Sequence, residues 1–89
     1  MYLHIGGNQM ISVVSIIALF KNHPTKSIKS NPLLQHARPF VLAGNCRRED
    51  VRSYVLTEYC LYGSPISLET LVKRYCHIFE KHVDANGRN

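Results

Sequence analysis

At 89 residues the chain has room for one domain with a thin core. Its 45% hydrophobic content excludes a disordered chain, and its formal charge of +5 with a pI of ≈ 9.4 turns attention to polyanions, either nucleic acid or an anionic surface. Cys46, Cys60 and Cys76 are odd in number and contain no C-x-x-C pair, so they make neither a disulfide framework nor a zinc site. Reduced thiols in a cytosolic protein are expected.

Tyr2-Leu3-His4-Ile5 alternates and is rich in strand formers. Gly6-Gly7-Asn8 supplies a turn, and Gln9 to Ile11 returns as the partner strand. Ser12 to Ser15 is a kink or a single helical turn, after which Ile16 to Phe20 resumes as a buried strand. Met10 to Phe20 is about half as long as a bilayer span and carries Ser12 and Ser15, so it is core rather than membrane. Nothing before or after it has the form of a signal peptide.

Lys21 to Ser30 is a polar loop. Asn31-Pro32 starts a short helix, Leu33 to Arg38, which Pro39 stops. Phe40 to Ala43 is a strand ended by Gly44-Asn45, and Cys46 to Asp50 is a charged loop or hairpin tip. Arg52 to Thr57 alternates as a strand, and Tyr59 to Tyr62 continues it or pairs with it, with no Gly, Asn or Pro between them. Pro65 and Ser67 open the last helix, with Ser67 as N-cap, Glu69 in the first turn and Ile66 stapled to Leu71. Leu68, Leu71, Val72, Tyr75 and Phe79 share one face, and Lys73, Arg74, His77 and Lys81 lie largely outside it. Residues 1–82 are expected to form one domain and 83–89 a flexible tail. The fold class is α+β: a small, mostly antiparallel sheet with one short helix and one longer C-terminal helix.

Catalysis has little to work with. There is no G-x-S-x-G elbow and no glycine-rich phosphate loop. Cys76-His77, as helix neighbours, point about 100° apart, with Cys76 at the core edge and His77 in solvent. His77 and His82 are at the wrong spacing for one helical face, and His4, between Leu3 and Ile5, reads as a hydrogen-bonded structural histidine. No enzyme activity, cofactor or metal is expected. The basic residues remain. Arg47 and Arg48 sit together in a loop with Arg52 shortly after, and Lys73 and Arg74 form a second patch. Guanidinium on a loop suits phosphates and groove edges. Against that, Glu49 and Asp50 can neutralise the first pair locally, and Lys73 and Arg74 fit a solvated helix face. On charge alone the two readings are evenly matched.

Tyr2-Leu3-His4-Ile5-Gly6-Gly7 with the apolar run ending Ile16-Ile17-Ala18-Leu19-Phe20, the strand Arg52-Ser53-Tyr54-Val55-Leu56, and the closing Tyr62-Gly63-Ser64-Pro65-Ile66-Ser67, then Thr70-Leu71 and Lys73-Arg74, occur in order. In this the chain resembles the Rem family of extracellular-matrix (biofilm) regulators, and its RemB, or YaaB-like, branch more than RemA. The resemblance implies a small bacterial cytoplasmic regulator with a LytTR-like β-rich unit that binds the DNA phosphate backbone as a homo-oligomer, with no membrane and no small-molecule substrate. The family's arginine pair ahead of the central strand falls near Arg47 and Arg48, with Arg52 nearby. The family's basic residue in the first apolar run is replaced here by Val13-Val14-Ser15. The competing expectation is a non-enzymatic interaction or scaffold module.

Overall fold

The computed structural model describes residues 1–23 and 39–85. Within them the chain is α+β, with two small sheets and one helix. β1 (Tyr2–Gly6) and β2 (Gln9–Ser12) form an antiparallel hairpin. A 3-10 turn at Val13–Ser15 leads into β3 (Ile16–Lys21). After β4 (Phe40–Leu42) come 3-10 turns at Ala43–Asn45 and Arg48–Asp50. β5 (Ser53–Thr57), β6 (Leu61–Ser64) and the helix α1 (Leu68–Ala85) complete the chain. The second sheet has the order β3-β5-β6-β4. Its pairs are antiparallel except β4 with β6, which run parallel, so the sheet is mixed. The expected short helix at 33–38 lies outside the described residues, as does most of the expected loop before it. α1 continues to Ala85, beyond the expected domain end at 82.

Side-chain alternation along the strands divides the core in two. On one face Leu19, Val55 and Tyr62 pack with Leu3, Ile5 and Ile11 of the hairpin and with Leu71 of α1. On the other face Leu56 and Leu61 are buried beneath Ala18, Phe20, Phe40 and Tyr54. Each strand of the large sheet is therefore apolar on both sides, which is why its sequence reads as a run.

The turn between β5 and β6 needs no glycine because Thr57 builds it. Its hydroxyl donates to the Cys60 carbonyl at 2.9 Å and accepts from the amides of Tyr59 and Cys60 at 3.2 and 3.0 Å. α1 starts as its sequence dictates. Ser67 Oγ accepts from the Thr70 amide at 3.3 Å, and Ile66 packs against the cluster that holds Leu71.

The inward face of α1 differs from the expected stripe. Leu71 is fully buried and Tyr75 and Ile78 pack beside it, whereas Val72 and Phe79 stay 42% and 39% exposed. A face centred on Leu71 is continued by positions four and seven further on, and Val72 and Phe79 fall on its flank. Phe79 instead packs edge-on against Tyr75, with centroids 4.9 Å apart. Cys76, expected at the core edge, is exposed for the same reason.

The glycines of the hairpin turn meet a third glycine. Gly7 and Gly44 have φ of 51° and 62°, and a Cβ on Gly44 would stand 2.7 Å from the backbone of Gly6. Two turns thus cross with their backbones in contact, which only residues without a side chain allow. Gly63 is needed for a different reason: a Cβ there would meet the Phe40 ring at 2.9 Å.

Candidate nucleic-acid interface

The site forms at one end of the four-stranded sheet. β3 ends at Lys21, which pairs with Ser53 at the start of β5. Asn22 fastens that end. Its amide donates to the Arg52 carbonyl at 3.1 Å, its Nδ2 donates to the Val51 carbonyl at 2.8 Å, and its Oδ1 accepts from the Tyr54 hydroxyl at 3.3 Å. The Arg52 amide in turn donates to the Ser64 carbonyl at 2.7 Å. Backbone bonds therefore place Lys21 and Arg52 at the same end of the sheet. A cleft of about 360 Å³ opens there, lined among others by Lys21, Asn22, Glu49, Arg52, Ser67 and Glu69.

Arg47 and Arg48 reach the same end by the turn after β4. Arg48 lies over the Phe40 ring, 5.2 Å from its centroid, a stacking that orients the guanidinium without neutralising it. Arg47 is held differently. Its Nε donates to Asp50 Oδ2 at 3.2 Å and its Nη1 lies 3.7 Å from Glu49 Oε2. These pairs are exposed, so solvent screens them, yet they keep Arg47 occupied. Lys21 has a looser carboxylate at 3.8 Å, that of Glu69. Among the described residues no side-chain partner holds Arg52.

The two helix residues separate. Lys73 is exposed. Arg74 is half-buried and turned toward β1, where Nη1 donates to Nδ1 of His4 at 3.0 Å and to the His4 carbonyl at 3.2 Å. Arg74 thus joins α1 to the hairpin and does not share the arginine end. His4 is a hydrogen-bonded structural histidine, as its place between two core residues indicates.

Among the described residues three groups are shifted from their ordinary ranges. The Tyr54 phenol is pushed up by burial, against the pull of the nearby Arg48 charge. The Tyr62 phenol is pushed up by its hydrogen bond with Cys60 and then by burial. The Cys46 thiol is pushed up by burial and by the charge of Asp50. Among the described residues no group of three or more His, Cys, Asp or Glu side chains could hold a metal ion. No helix among them is long and apolar enough to cross a membrane.

Of the residues singled out in the sequence, Arg52 lines the cleft, where Lys21 joins it, and Arg47 and Arg48 lie on the turn just before β5. The signal for Lys21 was faint: a lysine closing an apolar strand looks like the start of a loop until its register against Ser53 is known. The class these features define is a small α+β domain with cations gathered at one sheet end. No family model matches the chain, and no curated protein matches it.

Proposed function

We propose that the protein is a small bacterial DNA-binding regulator of the Rem type, working in the cytoplasm as a homo-oligomer and gripping the phosphate backbone with the cations at this sheet end. The observation that carries the reading is that Lys21 and Arg52 line one cleft at the end of β3 and β5, while the turn just before β5 carries Arg48, over the Phe40 ring, and Arg47. Phosphate contacts of this kind position a protein on a duplex without reading its sequence. The order of the family-like motifs supports the class. Of the finer parts of the reading, the LytTR-like β-unit rests on that resemblance, and the short helix expected at 33–38 rests on the Asn31-Pro32 start and the Pro39 stop. Repetition of a weak cationic end by oligomer symmetry raises affinity through avidity. Titration of duplex DNA across a salt series tests the reading. Log affinity should fall with log salt at a slope of about −0.9 per phosphate contact. No binding at low salt, or a flat response, contradicts it.

The pairing of Arg47 with Glu49 and Asp50 favours a second reading, an interaction module of the same family with little or no DNA binding. Replacing Arg48 and Arg52 by Ala separates the two. A regulator loses DNA with its oligomer intact, whereas a scaffold is unchanged.

A further inference from the structure

His4 and Arg74, 70 residues apart, meet where the hairpin docks on α1. Arg74 Nη1 donates to His4 Nδ1 at 3.0 Å, while His4 Nε2 lies against the Gly7 carbonyl oxygen. A carbonyl only accepts and a guanidinium only donates. Nε2 must therefore carry the ring proton, and Nδ1 must present a lone pair. One neutral tautomer meets both demands. Protonating Nδ1 puts a donor against a donor and a positive ring against a positive guanidinium.

The geometry points to a proton-operated latch: neutral His4 holds Arg74 against the hairpin, and protonated His4 releases that guanidinium to solvent, where a polyanion such as DNA phosphate can take it. The release stands on the hydrogen bonds alone; its consequence for DNA rests on the function proposed above. Among the described residues no carboxylate is paired with His4 or Arg74 to supply a compensating negative charge. Tyr2 neighbours His4 on β1, Met10 and Ser12 lie on the paired stretch of β2, and the crossing turns bring Gly7 and Gly44. On α1, Tyr75 packs into the core, Lys73 is next to Arg74, and His77 stands one turn further on. Among the described residues no ion pair engages His4 or Arg74. Once the ring bond is gone, Arg74 keeps one bond, to the His4 carbonyl.

Nitrogen NMR of the whole chain, between about pH 8 and about pH 5 where histidines change charge, reads the latch directly. The expected result is the Nε2–H tautomer at the upper end and a change in the Arg74 guanidinium signals that tracks the titration of His4. An Nδ1–H tautomer, or an Arg74 signal indifferent to His4, overturns the latch. A second arm measures duplex DNA binding over the same range. Arg74 lies apart from the cationic sheet end, so its release adds a separate phosphate contact and the wild-type salt slope steepens by about 0.9 on acidification. That increment should vanish in His4→Gln and in Arg74→Met and persist in His77→Gln. An increment that survives in Arg74→Met overturns the latch, because a protonated histidine is then contacting DNA by itself. If His4→Gln does not fold, Arg74→Met carries the same comparison. A chain that binds no DNA at either pH contradicts the proposed function, and the NMR arm still decides the latch.

Discussion

The hydroxyl of Ser64 donates to the carbonyl oxygen of Ile5 at 2.6 Å, and both residues are fully buried. The same hydroxyl accepts from the Ile66 amide at 3.1 Å. One atom thus joins the end of β1 to the turn that launches α1. Beside it, a Cβ on Gly6 would stand 2.8 Å from Pro65. The two sequence signatures, Tyr2 to Gly7 and Tyr62 to Ser67, lie far apart in the chain and form one contact in the fold.

Ser64→Ala should therefore destabilise well beyond a surface change. It removes the donor to the buried Ile5 carbonyl and the acceptor of the Ile66 amide, at a cost of about 1–3 kcal/mol. For a domain of this size the melting temperature should drop by roughly 4–8 °C per kcal/mol. A variant that melts with the wild type would show that the contact contributes nothing.

Gly44→Ala should be worse than an ordinary helix or strand substitution. The left-handed conformation alone costs an L-residue about 1–2 kcal/mol. The added Cβ also has the Gly6 backbone at 2.7 Å and no flexible side chain to push aside. Neighbouring Asn45, at φ 59°, is the control: Asn45→Gly should be neutral or mildly stabilising in a denaturant melt. Equal behaviour of the two variants would contradict the crossing of the turns.

Asp50→Asn combined with Glu49→Gln should strengthen DNA binding. Both acids hold Arg47. Freeing it adds one phosphate contact, so the salt slope should steepen by about 0.9. The effect should disappear when Arg47→Ala is added, which removes the explanation that net charge alone is responsible.

Alkaline titration should find two late phenols. Tyr54 and Tyr62 are pushed above the ordinary tyrosine range, so the fold prefers them neutral. Their contribution to stability is complete below about pH 10, the unfolded value, and is lost as the pH rises through the raised values. Absorbance titration should show a late component that Tyr54→Phe and Tyr62→Phe each reduce. A curve that neither variant changes would contradict both environments.

The thiols should react in the order of their burial. Cys76 is exposed, Cys46 is intermediate with its thiol pushed up, and Cys60 is buried. Alkylation followed by mass spectrometry should label Cys76 first and Cys60 last, and early loss of Cys60 would contradict its packing beneath the Thr57 turn.

Local rules were legible in the sequence and long-range pairings were not. Alternation marks β1, β5 and the runs feeding the mixed sheet, and Ser67 announces the start of α1 because a cap depends only on its own turn. The β5–β6 turn escaped its usual signals because Thr57 builds it with one hydroxyl rather than with glycine. The parallel pairing of β4 with β6 leaves no mark in either strand. At the site, the Arg47, Arg48 and Arg52 cluster was visible as local density of charge. Whether each arginine is free was not: Arg47 is occupied by acids two and three residues away, and Arg74 by a histidine near the N-terminus. Lys21 needed the register of β3 against β5.

The most direct measurement is the salt slope of duplex DNA binding for Lys21→Ala, Arg48→Ala and Arg52→Ala, each against the wild type. The expected result is a slope shallower by about 0.9 for every one of the three, with the oligomer unchanged. Binding whose slope ignores all three residues would place the interface elsewhere and contradict the cationic sheet end as the site of function.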